Sequence, residues 1–141
     1  MKSKTKRFNK TDPVIMANSA MNPFYMNVDH SRIGLIIVHM NLQLILDLAK
    51  PILLGRDFSE VSTTHVGINL TPFDGESMGV SRRHAVLEIQ DNRLVITDQQ
   101  SSNGTLVNAK MIESLIPFVI MQGDLLNLGQ MEILVSLLSA G

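Results

Sequence analysis

Ala85-Val86-Leu87-Glu88-Ile89-Gln90-Asp91-Asn92-Arg93-Leu94-Val95-Ile96-Thr97 reads as two strands joined by a short turn. Ala85, Leu87 and Ile89 alternate with Val86, Glu88 and Gln90, the period of a strand that sends successive side chains to opposite faces. Asp91-Asn92 supplies the turn residues. The same grammar recurs along the chain. Leu42, Leu44, Leu46 and Leu48 alternate with Gln43, Ile45, Asp47 and Ala49, and Leu125–Leu128 and Met131–Leu138 flank a tight turn at Gly129-Gln130. Nine to eleven short strands, and no amphipathic helix longer than two turns, predict an all-β sandwich.

The first 31 residues differ in character. They are polar, lack periodicity and carry Pro13 and Pro23. We expect a flexible arm over 1–31, with Pro23-Phe24-Tyr25-Met26 able to pack locally, and one domain over 32–141. Lys2, Lys4, Lys6, Arg7 and Lys10 put five positive charges and no acid in the first ten residues, whereas the rest of the chain has 7 basic and 13 acidic residues. Phe8 is the one aromatic near those charges, so stacking on bases is poorly supported and nucleic acid is not expected as a partner.

Composition removes other classes. The chain has no cysteine, which excludes disulfides, thiolate metal sites and a cysteine nucleophile, and agrees with a cytoplasmic setting. Residues 11–22 contain Asp12, Pro13, Asn18 and Ser19 where a signal peptide needs an apolar core. The apolar stretch Ile33–Leu54 is interrupted by His39, Asn41, Gln43, Asp47, Lys50 and Pro51, so strands explain it better than membrane insertion.

Three polar islands interrupt the strands: Gly55-Arg56, Ser81-Arg82-Arg83-His84 and Ser101-Ser102-Asn103-Gly104-Thr105. Arginine offers a planar fork of donors, serine and threonine add hydroxyls, and asparagine an amide suited to a peptide backbone. Together they suit an anion, and a phosphate ester in particular. Each has a plainer reading. Arg56 could be a surface residue paired with Asp57 or Glu60, Asn103-Gly104 a simple turn, and His84 a brace for the loop backbone. A catalytic His84 lacks a nucleophile and an orienting acid at a diagnostic spacing. No metal-ligand spacing, nucleophile elbow or phosphate-binding glycine loop appears, so neither an enzyme nor a cofactor is expected.

The order of these islands resembles that of the forkhead-associated (FHA) domain, a reader of phosphothreonine peptides. The resemblance runs from Ile33 to Leu138. It rests on Leu54-Gly55-Arg56, on Ser81-Arg82-Arg83-His84-Ala85, on Asp98 followed by Ser101-Ser102-Asn103-Gly104-Thr105-Leu106-Val107-Asn108, and on Gly123-Asp124-Leu125-Leu126-Asn127-Leu128-Gly129. It implies an eleven-stranded β-sandwich in which Arg56, Ser81 and Arg82 hold the phosphate. Ser102, often threonine in relatives, would lie near the phosphate and the threonine methyl, and Asn103 would bind the peptide main chain. Gly55, His84 and Gly104 would be architectural.

The implied role is a signalling adaptor or regulator that binds a Thr-phosphorylated protein downstream of a Ser/Thr kinase. The alternative is a phosphorylation-independent scaffold on the same sandwich, for which Phe73, Met78, Phe118 and Met121 are candidate exposed apolar contacts. Two departures from the family pattern stand out: a long loop from Asp57 to Val80, and Ala109-Lys110 where relatives often carry glycine plus an acid. Thr5 and Thr11 in the arm would put a phosphorylated threonine on a tether at high effective concentration.

Overall fold

A computed structural model describes residues 32–56 and 66–137, which form two facing β-sheets. Its eleven strands are β1 (Arg32–Ile37), β2 (Leu42–Asp47), β3 (Ile52–Gly55), β4 (Val66–Asn69), β5 (Arg83–Gln90), β6 (Arg93–Asp98), β7 (Thr105–Val107), β8 (Lys110–Met111), β9 (Phe118–Val119), β10 (Leu125–Leu128) and β11 (Met131–Leu137). One sheet has the order β2-β1-β11-β10-β7-β8 and the other β4-β3-β5-β6-β9. The expected arm over 1–31, with Thr5 and Thr11, lies outside the described residues.

Alternation fills the space between the sheets. Ile33, Leu35 and Ile37 of β1, Ala85 and Leu87 of β5, and Leu94 and Ile96 of β6 are fully buried in one apolar cluster. Leu46 and Leu48 join it, while Ile45 on the opposite face of β2 is 54% exposed. Each of these isoleucine and leucine side chains contributes about 1.5–3 kcal/mol when removed from water.

Turn chemistry fixes register. Gln90 pairs with Arg93, and the intervening Asp91 and Asn92 both have positive φ (52° and 62°), which matches the right-handed twist of the strands. Leu128 pairs with Met131 around Gly129, whose φ is +60°. This second turn is also pressed against another loop. A Cβ on Gly129 would lie 2.7 Å from the carbonyl oxygens of both Met78 and Gly79.

The segment Asp57–Val80 is not a single long loop. Val66–Asn69 pairs in parallel with β3, Ile52 opposite Val66 and Gly55 opposite Asn69. Four residues are too few to display a period, and parallel pairing joins segments with no hairpin turn between them. Phe73 and Met78, read from sequence as exposed, instead pack half-buried against the core. At the other departure, Asn108 and Ala109 both take positive φ, 51° and 69°, so the turn survives without glycine. Asn108 ties it down by donating to Asp124 Oδ1 and accepting the Leu125 N–H, both at 2.9 Å.

Candidate functional site

The three polar islands converge at one end of the sandwich. β3 ends at Gly55, and Arg56 follows with its N–H donating to the Arg82 carbonyl at 2.9 Å. This contact requires glycine at position 55, because a Cβ there would sit 2.0 Å from the Arg82 oxygen. The Arg56 side chain is half-buried, and its Nε–H donates to the Val80 carbonyl at 2.5 Å. That bond uses one edge of the guanidinium and directs the rest of the fork. Val80 is positioned in turn by the 70–80 loop: its N–H donates to Gly75, and Leu70 N–H donates to Gly55.

Ser81 connects two islands. Its Oγ accepts the Ser102 N–H at 2.9 Å. Arg82 and Ser102 are exposed beside it, and Asn103 is exposed one residue further on. Asn103 does not simply project into solvent. Its Nδ2 donates to the Gly79 carbonyl at 3.0 Å, leaving Oδ1 and the second N–H for a ligand.

His84 is fully buried beneath these loops. Its Nδ1 accepts the Ser81 N–H at 2.9 Å, and its Nε2 lies 3.0 Å from the Gly104 carbonyl. Accepting at one nitrogen and donating at the other selects the neutral Nε2–H tautomer. Burial, the largest influence, lowers the imidazole pKa below its ordinary value, against the opposing pull of the Gly104 carbonyl and the Asp98 charge. A buried neutral ring between two backbone groups is a brace. Gly104, with φ +85°, offers its carbonyl to both His84 and the Gly129 N–H.

Asp98 does more than its place in the sequence pattern suggested. It is 1% exposed and gathers Ser101 Oγ and Thr105 Oγ1 at Oδ1, both at 2.6 Å, and Ser114 Oγ at Oδ2, at 2.5 Å. The Ser101 N–H adds a bond at 3.2 Å. Burial pushes its carboxyl pKa up, but the hydroxyls of Ser101, Ser114 and Thr105 and the Ser101 N–H outweigh it and hold it below the usual range. Ser101 Oγ also accepts the Gly104 N–H at 3.0 Å. Ser101 therefore shapes the loop, while Ser102 faces outward. An acid followed by hydroxyls at +3 and +7 is a local signal that could have revealed this node. Ser114, at +16, is not.

The result is a surface of donors: one held arginine, one exposed arginine, hydroxyls and a carboxamide, on loops fastened to each other. Among the described residues no three His, Asp or Glu side chains converge to hold a metal ion.

The sequence matches the FHA domain family over residues 52–129, from β3 to the turn after β10. The chain belongs to the FHA domain family. Solved FHA domains share its fold. That of the CT664 protein from Chlamydia trachomatis is 25% identical, with a TM-score of 0.57 over 77% of this chain and 100% of that one. An FHA domain of an Arabidopsis thaliana hypothetical protein is 24% identical, with a TM-score of 0.61 over 87% of this chain and 96% of the other. Mycobacterium tuberculosis EmbR, in complex with a low affinity phosphopeptide, is 25% identical, with a TM-score of 0.58 over 79% of this chain and 25% of EmbR. No curated protein matches the sequence significantly. FHA domains are binding modules. Among the described residues of this one, no helix is long and apolar enough to cross a membrane.

Proposed function

We propose that this FHA domain is a phosphothreonine-dependent peptide- or protein-binding module. It acts as an adaptor or regulator downstream of Ser/Thr kinases, in the cytoplasm, without catalysis or cofactor. Arg56, Ser81 and Arg82 take the phosphate, Ser102 adds a hydroxyl and Asn103 binds the peptide main chain. The observation that carries this reading is the Ser81–Ser102 hydrogen bond, because it gathers donors from distant parts of the sequence into one anion-binding surface. One structural relative was studied for phosphothreonine-dependent FHA interactions, and EmbR was solved with a phosphopeptide. In this reading the FHA domain is assigned to residues 32–141 and the basic arm to residues 1–31.

A hydrogen bond to a charged group contributes about 1.5–3 kcal/mol, and about 1.4 kcal/mol is a decade in affinity. Arg56→Ala should lower affinity for a phosphothreonine peptide by at least about ten-fold while the chain still melts cooperatively. Near-normal affinity by calorimetry would remove Arg56 from the site. An oriented library carrying phosphothreonine, phosphoserine or phosphotyrosine tests the class directly.

A second reading, a scaffold that binds without phosphorylation, is favoured by one feature. Met111, Leu115, Ile116 and Phe118 are exposed along the edge formed by β8, β9 and their connection. Equal recovery of a partner before and after phosphatase treatment would support it.

A further inference from the structure

Alternation along β3, β5 and β6 sends one set of side chains into the core and the other set outward. The outward set should meet water, and part of it does not. Leu53 of β3, Val86 of β5 and Val95 of β6 are 1%, 6% and 4% exposed, yet none belongs to the apolar cluster between the sheets. Register makes them neighbours: Leu53 pairs with Val86, Val86 with Thr97, and Val95 with Val119 of β9. The other sheet packs on the opposite side of these strands, so it is not their cover.

Thr97 stands in the same outward row and is itself buried. Its Oγ1 has no hydrogen-bond partner, and among the described residues no other buried side-chain polar atom lacks one. A buried hydroxyl is costly unless some group reaches it. The outward side of this sheet is thus an apolar face with one polar point, suited to a segment of chain laid across it.

The chain's own arm enters from the right place. Its last residue precedes Arg32, which pairs with Asp47 at the start of β1. At the other end of β1, Ile37 pairs with Ile133, beside the Gly129 turn that bonds the Gly104 carbonyl. Arg32 therefore lies at the pole remote from Arg56 and Ser81. In the second sheet Ile52 and the Gln90–Arg93 turn mark that pole, and Leu53 and Val95 sit one and two residues in from it. Pro23-Phe24-Tyr25-Met26 is an uncharged run with two aromatics close before Arg32. Six steps from Met26 to Arg32 span up to about 20 Å, and packed sheets stand about 10 Å apart. The run can cross the end of the sandwich and reach the far face. In an extended segment Phe24 and Met26 share one side and Tyr25 takes the other.

We infer that residues 23–26 dock across the outward face of the second sheet. Phe24 and Met26 lie on Leu53, Val86 and Val95, and the segment's backbone brings polar groups to Thr97. The structured domain then begins at Pro23 rather than Arg32. The phosphate site is at the opposite pole and stays open, so the inference stands or falls apart from the phosphothreonine reading.

The test is nuclear magnetic resonance on the full chain, with melting curves for three variants. Overhauser contacts should join the Phe24 ring to the methyl groups of Val86 and Val95 within one chain. A mixture of labelled and unlabelled protein tells these from contacts between chains. Phe24→Ser should lower the melting temperature by about 3 °C or more. Combined with Val86→Thr it should cost less than the sum of the two single losses, because each variant disturbs the same contact. Phosphopeptide affinity should be unchanged in Phe24→Ser. Contacts absent, or present only between chains, overturn the inference. So do fully additive losses, or a ten-fold fall in affinity, which would place the segment at the phosphate site instead.

Discussion

The backbone N–H of Ser102 donates to Ser81 Oγ at 2.9 Å, joining the loop before β5 to the loop after β6. One hydroxyl thus serves the fold while belonging to the proposed phosphate site. Ser81→Ala should cost about 0.5–1.5 kcal/mol of stability and about ten-fold or more in phosphopeptide affinity. Ser102→Ala keeps the backbone N–H and the loop junction, so it should lower affinity with little change in melting temperature. Thermal melts and calorimetry on both variants separate the two effects, and equal stability losses would show that the junction matters less than its geometry implies.

Asp98 should be the most sensitive polar position near the site. Asp98→Asn replaces one acceptor oxygen by a donor facing hydroxyls that now donate to it. A loss of roughly 2–4 kcal/mol in urea unfolding is expected, together with weaker peptide binding as the Ser101–Thr105 loop loosens. A loss below about 0.5 kcal/mol would mean that the hydroxyls find other partners.

His84 predicts a pH dependence for the unliganded protein. Its folded pKa is below the unfolded value of about 6.5, so the unfolded chain binds more protons between the two. Stability from this group is complete above about pH 6.5 and declines as pH falls from there toward the folded pKa. Urea titrations from pH 7.5 to 5 should show the decline, and His84→Gln should flatten it. Working without peptide matters, because phosphate itself gains a proton near pH 6.

Gly55→Ala places a methyl group in the Arg82 carbonyl, backbone against backbone. The chain must open the β3–β5 junction to accept it. We expect a stability loss of roughly 2–4 kcal/mol and loss of peptide binding, even though no donor has been removed. Normal affinity in this variant would mean that the Arg56–Arg82 junction can shift without disturbing the site.

Local features were legible in the sequence, and long-range ones were not. The β5–β6 hairpin is written in adjacent residues, with an alternation that ends at Asp91-Asn92. The polar islands were visible as interruptions of that alternation. β4 was not, because four residues beside a parallel neighbour carry no turn signal. Phe73 and Met78 looked exposed because they stand among turn residues, yet their loop folds onto the end of the core. Ser114 reaches Asp98 from 16 residues away, a pairing that no local pattern encodes.

The sequence by itself determined that this chain is a β-sandwich of the FHA family, and which side chains could meet an anion. Those properties depend on residue type and on spacing along the chain. The tertiary structure decided how the side chains are held: Arg56 against Val80, Ser81 against Ser102, His84 between Ser81 and Gly104. Spacing along a chain does not determine distance across a fold, and a binding surface is built from the second.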